Sequence, residues 1–278
     1  MVSTRTANVP HVMPENYSTN GYMNLLVKAS ETDRRRVLIG LPVTGLLRIE
    51  FVLARYGQII PCNWSAAENI QVLSQITPLG YNVADARNVI VQAAVLGGFE
   101  WLFFLDHDVI LPLDTFLKMN EYMRDGTYPI VAGLYTTKSF PAEPLVYRGR
   151  GNSYYGNFKL GEKVWADGCG NGCTLISGKV LEQMWRDAPE YLAGGNQKVR
   201  RVYDTPQFQW VDPESGGFKS FQGTEDLAFF DRMMQGDYLA KAGFKKVAKK
   251  RYPILIDASI VCYHITQDGI KYPTEWRW

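Results

Sequence analysis

Residues 101–108 read Trp101-Leu102-Phe103-Phe104-Leu105-Asp106-His107-Asp108: five large apolar side chains, then two carboxylates two residues apart. A short apolar run bounded by turn signals is the pattern of a strand buried on both faces. Upstream, Asp85 is placed to cap a helix from Ala86 to Leu96 and Gly97-Gly98 ends it, so the strand runs from Glu100 to Leu105. Downstream, a helix is expected from Asp114 to Met123, stopped by Gly126, and Tyr128 to Leu134 is again strand-like. Strands alternating with helices of this length predict an α/β fold, a Rossmann-like, mostly parallel sheet flanked by helices. In such sheets ligands gather at the carboxyl ends of the strands, which is where Asp106 and Asp108 stand.

The same alternation extends outward. Val37 to Leu41 is a short strand, Pro42 to Gly45 a turn, and Leu46, Leu47, Ile49, Val52, Leu53 and Tyr56 have helical spacing stopped by Gly57. From Lys138 to Asp167, prolines and glycines interrupt short aromatic runs, which predicts loops and hairpin strands. Thr174 to Trp185 returns to strand-then-helix, and Gly194 to Gly223 is a long polar and aromatic insertion. Leu227 to Met234 is helical, and Ile254 to Ile265 is a closing strand. Residues 1–34 have few periodic apolar positions and are expected to be an irregular extension, leaving 35–278 as a single domain.

With 278 residues and 46% hydrophobic content the chain can bury a full core. Its net charge of +2 provides no global reason to expect nucleic acid or an anionic membrane. The Lys245–Arg251 basic run reads as a solvated face. A signal peptide and an apolar stretch of about 18 residues are both missing, so a cytoplasmic protein with no membrane span is expected. The four cysteines lack metal-site spacing and are expected to be reduced thiols. No P-loop or dinucleotide fingerprint is present.

Asp106 and Asp108, if extended, present both carboxylates to one side. Such a pair suits a hard divalent cation, whose usual partners are phosphate oxygens, although an aspartate that merely caps a helix has the same appearance. Gly170-Asn171-Gly172 can bring backbone close to a ligand through positive φ, or can be a simple turn. Thr224-Glu225-Asp226 is either a carboxylate site or an ordinary helix start. His264, in an apolar strand, is a ligand or a hydrogen-bonded core histidine. Arg87 is a phosphate partner or an exposed helix arginine.

Taken in order, Asp106-His107-Asp108, Gly170-Asn171-Gly172, Thr224-Glu225-Asp226 and His264, preceded by Ala86-Arg87-Asn88, resemble the GT-A glycosyltransferases, in particular the family-2-like group, over about residues 36–266. That resemblance implies a GT-A fold with a small acceptor-side subregion and a nucleoside-diphosphate sugar donor, UDP- or GDP-linked, with no acceptor indicated. It implies an Mn2+ or Mg2+ ion held by Asp106, Asp108 and His264, and a donor region comprising Pro42, Val43, Thr44, Asp85, Arg87, Asp106 and His107. Trp165, Asp167, Gly170, Asn171, Gly172 and Lys138 are implied to border the acceptor or sugar. Asp226 is implied to be the catalytic base of an inverting transfer, with Glu225 orienting the acceptor. The rivals are a retaining transferase on the same fold, a nucleotidyltransferase-like enzyme, and a non-catalytic carbohydrate-binding protein.

Overall fold

All five side chains of Trp101–Leu105 are buried, as an apolar run at the centre of a sheet requires. In the computed structural model, residues 37–61, 64, 74–149, 153–154 and 158–274 are described. The expected extension over 1–34 and the Trp276-Arg277-Trp278 tail lie outside them. The first half of the chain forms β1 (Val37–Gly40), α1 (Ile49–Tyr56), β2 (Ser74–Ile76), α2 (Val83–Leu96), β3 (Trp101–Leu105), β4 (Val109–Ile110), α3 (Thr115–Asp125) and β5 (Ile130–Leu134). Next come β6 (Val146–Tyr147), β7 (Lys163–Ala166), β8 (Gly168–Cys169), β9 (Cys173–Ser177), α4 (Gly178–Asp187), β10 (Glu190–Ala193) and β11 (Gln197–Arg200). The remainder is β12 (Gln207–Val211), β13 (Phe218–Gln222), α5 (Glu225–Gln235), α6 (Tyr238–Lys241), α7 (Lys245–Ala248), β14 (Ile254–Val261), β15 (Tyr263–Ile265) and β16 (Lys271–Tyr272).

Seven strands form the central sheet in the order β2-β1-β3-β9-β5-β14-β7. β2, β1 and β3 are parallel, as are β5 and β14, whereas β9 opposes both its neighbours and β7 opposes β14. The sheet is therefore mostly parallel, with two reversed members. The reversal of β9 has a local cause: the chain enters it from the Gly170–Gly172 loop at the end where β3 finishes, so Cys173 pairs with Leu105 and Ser177 with Trp101. Strand alternation divides the core. Leu102 and Phe104 face a cluster with Ile90, Leu181 and Phe229, from α2, α4 and α5, while Trp101, Phe103 and Leu105 face Phe51, Phe116 and Met119, from α1 and α3.

Three local expectations change. The cap of α2 is Asn82, whose side-chain oxygen accepts from the Asp85 N–H at 2.9 Å; Asp85 is the third helical residue and takes the Asn82 amide at 2.8 Å. The closing strand is two elements: after Val261 the chain leaves the sheet, and β15 pairs with β4 and β16. The Gly194–Gly223 insertion is built rather than loose, with β11 paired to β10, Val202 and Tyr203 fully buried, and β12 and β13 forming a hairpin. Cys169, Cys173 and Cys262 are free and buried, and Cys62 lies outside the described residues. Among the described residues no helix is long and apolar enough to cross a membrane.

Candidate active site

At the end of β3 the Asp106 N–H donates to Gly172 O at 3.0 Å, and Val109 N–H returns to Asp106 O at 3.1 Å. The segment is therefore a turn, so the alternation that would aim both carboxylates one way does not apply. Asp106 Oδ2 faces Arg87 Nη2 at 3.0 Å. Asp108 Oδ2 faces Lys138 Nζ at 2.5 Å and His264 Nε2 at 3.4 Å. His107 turns to the first βα loop, its ring 3.3 Å from Thr44 Oγ1 and 3.2 Å from Pro42 O. Pro42, Val43, Thr44, Asp106, His107 and Asp108 together line a cleft of about 160 Å³. A larger hollow of about 380 Å³ opens at the opposite end of β3, between Phe99, Trp101, Met123 and Lys179, away from these acids.

His264 reaches Asp108 because β15 pairs with β4: His264 is opposite Val109, and Ile265 N–H donates to Asp108 O at 2.8 Å. The Thr136 carbonyl, 2.8 Å from Nδ1, assigns the proton to that nitrogen and leaves Nε2 as the one presented to Asp108. Burial opposes ionisation of Asp108, yet its neighbours His264 and Lys138 hold its carboxyl well below the usual carboxylate range. Among the described residues no three His, Cys, Asp or Glu side chains converge as a ready ligand group. The Asp106, Asp108 and His264 set thus divides into an arginine-bound acid and an Asp108–His264 pair.

Arg87 is the centre of the site. It is 1% exposed, and its guanidinium contacts Asp106 at 3.0 Å, Glu225 at 3.2 Å and Asp226 at 3.4 Å. The rings of Phe104 and Tyr203 lie 5.0 and 5.9 Å from it. It is neither an exposed helix arginine nor a side chain open to a diphosphate, because α2 turns this face onto the sheet. Burial opposes its charge, but the three carboxylates raise its pKa well above the usual value. Thr224 caps α5 through the Leu227 N–H, so Glu225 and Asp226 occupy the first turn, where the helix dipole favours acids. Burial pushes the Asp226 carboxyl up to about 8, with Arg87 opposing and Glu225 and Asp106 adding to the rise. Burial also raises Asp106, again against Arg87.

Asn171 N–H donates to Asp226 Oδ2 at 3.1 Å, which brings the glycine loop to the acid. The glycines themselves do other work than expected. Neither Gly170 nor Gly172 has positive φ, and a Cβ on them would stand 2.1 and 2.8 Å from the Tyr135 hydroxyl, which accepts from Gly172 N–H at 2.8 Å. They make room for Tyr135 rather than for a ligand. Trp165 lies on the edge strand β7 opposite Leu255, with Tyr128 and the Lys250 ammonium against it. Asp167 accepts from Gly149 N–H at 2.7 Å and shapes a turn. Asp85 takes the Tyr191 hydroxyl at 2.5 Å and does not line the cleft. Lys138, expected to border the acceptor or sugar, pairs with Asp108. Tyr203 has no signal in the sequence, since an isolated tyrosine in a polar insertion has no periodic pattern.

No protein-family model matches the sequence, and no curated protein does. Among solved structures, the chain is similar to A197 from STIV, at 18% identity and a TM-score of 0.51, over 85% of this chain and 88% of that one. At this identity the likeness concerns the fold.

Proposed function

We propose that the chain is a metal-dependent, GT-A-type glycosyltransferase that moves a sugar from a UDP- or GDP-linked donor to an acceptor hydroxyl with inversion. The observation that carries this reading is the Arg87 junction: one buried guanidinium ties Asp106, beside the cleft, to Glu225 and Asp226, more than a hundred residues later. The Pro42–Thr44 loop, held by His107, is suited to the nucleotide.

Two observations support a divalent cation in this reading, in which Asp106, Asp108 and His264 draw together from their separated arrangement. Asp106 Oδ1 is buried without a hydrogen-bond partner, and Asp108 and the Nε2 face of His264 meet where Lys138 now supplies the positive charge. Asp106, Asp108 and His264 would hold Mn2+ or Mg2+, which when bound supplies Lewis-acid stabilisation to a diphosphate leaving group. Asp226 accepts the proton of the acceptor hydroxyl, and the Asn171 N–H on Oδ2 with Arg87 on Oδ1 fixes its orientation. Glu225, on the same turn, is placed to orient the acceptor.

Two results are expected. As a base, Asp226 must be ionised; with its carboxyl raised to about 8, kcat/KM rises about tenfold per pH unit below that value and levels above it, read from a pH–rate profile. In a thermal-shift screen of UDP- and GDP-sugars with and without Mn2+, a donor at about 100 times its Kd stabilises the fold by about 2.7 kcal/mol. His264→Ala and Asp108→Asn are expected to remove the Mn2+-dependent part of that shift. If no nucleotide moves the melting point in either condition, the proposal fails.

A further inference from the structure

Tyr203 lies within the insertion, far in sequence from every motif of the site, yet exposes none of its surface. Asn88, the neighbour of Arg87 on α2, holds its backbone. The Asn88 side-chain oxygen accepts from the N–H groups of Val202 at 2.9 Å and Tyr203 at 2.7 Å, and its amide donates to Tyr203 O at 2.8 Å. The ring stacks on Phe229, with centroids 4.4 Å apart and planes 5° from parallel. Phe229 follows Asp226 by three residues and so shares its side of α5. The Tyr203 hydroxyl accepts from Asn171 Nδ2 at 3.1 Å, and Asn171 N–H in turn donates to Asp226 Oδ2.

Consecutive residues of α2 thus reach the two oxygens of Asp226 by separate routes. Arg87 touches Oδ1 directly, while Asn88 acts on Oδ2 through Tyr203 and Asn171. A buried hydroxyl is costly unless it is bonded, so a position needing only a flat apolar ring would be filled more cheaply by phenylalanine.

We infer that Tyr203 is a positioning residue for sugar transfer: held by Phe229 on one side and Asn171 on the other, it sets the Gly170–Gly172 loop against α5 and thereby aims Asp226. The inference rests on the reading of Asp226 as the base.

Tyr203→Phe keeps the stack and removes only the hydroxyl. The expected result is a fall in kcat of about tenfold with the donor KM unchanged, and no further fall when the change is made in Asp226→Asn, because residues acting as one unit are not additive. Hydrogen exchange at the Asn171 amide is expected to quicken in Tyr203→Phe, a readout that needs no substrate. An unchanged kcat, an equal loss in both backgrounds, or unchanged exchange overturns the inference. If Tyr203→Phe does not fold, Asn171→Ala severs the same link from its other end and should show the same loss of kcat and the same non-additivity with Asp226→Asn. Wild-type protein that transfers no sugar from any donor sinks the transferase reading, while the exchange measurement still decides whether Tyr203 orders this loop.

Discussion

Asp226→Asn is expected to lower kcat by about 10²- to 10⁴-fold, the range of a positioned general base, while the protein still folds and still binds donor. The substitution preserves shape, and the Asn171 N–H retains an oxygen to bond. Arg87 retains Asp106 and Glu225. The capacity to take a proton is lost, and with it the contact that Arg87 makes to Oδ1, where the amide nitrogen then stands. The same change has an equilibrium signature whose sign follows from linkage. A carboxyl raised from its ordinary value of 3.8 to about 8 stays protonated in the folded state while it ionises in the unfolded one. Folding is therefore opposed progressively as pH rises from about 4 to about 8, and unaffected by this group below about 4. Asparagine does not titrate, so the variant's stability should decline less over that window, as denaturant unfolding at pH 5 and pH 8 would show. Wild-type turnover in the variant would remove Asp226 from the mechanism.

The sheet was legible because its strands are apolar runs separated by helices, and Trp101–Leu105 admits few other readings. Two features of the sheet were not. The reversal of β9 depends on where the glycine loop re-enters, and the departure of β15 depends on pairing with β4; both are long-range registers that periodicity does not encode. The site divides in the same way. Asp106, Asp108, Asp226 and His264 stand out because carboxylates and a rare histidine at strand ends and a helix start are visible locally. The part played by Arg87 was not visible, since nothing in Ala86-Arg87-Asn88 says which face of α2 meets the sheet. Tyr203 was still harder to see: its value lies in contacts with Asn88, Asn171 and Phe229, each contributed by a different element. The misplacement of Trp165 has the converse cause, because an aromatic residue near a glycine loop in sequence can belong to an edge strand in space.

Arg87→Met should produce the largest loss of stability of any single change at the site. The methionine fills the space between Phe104 and Tyr203, so the cost is electrical rather than steric. Asp106 and Glu225 are left without their shared cation, beside an Asp226 whose raised carboxyl is largely protonated at pH 7. Removing one partner from a buried ion pair typically costs about 3–5 kcal/mol, since the remaining charge is uncompensated. Denaturant unfolding at pH 7 would register that loss directly. The destabilisation should shrink as pH falls, because protonated acids need no counter-charge, and this direction separates an electrostatic defect from a packing one. Arg87→Lys refines the point. A single ammonium is a compact point charge, whereas the guanidinium reaches Glu225 through Nε and both Asp106 and Asp226 through Nη2. The lysine variant is therefore expected to recover much of the stability but little of the activity, since it supplies charge without fixing Asp106 and Asp226 relative to each other. If Arg87→Met unfolds at the wild-type denaturant midpoint at pH 7, the guanidinium does not hold the two halves of the site together. Activity in Arg87→Lys equal to wild type would reduce its role to charge balance alone.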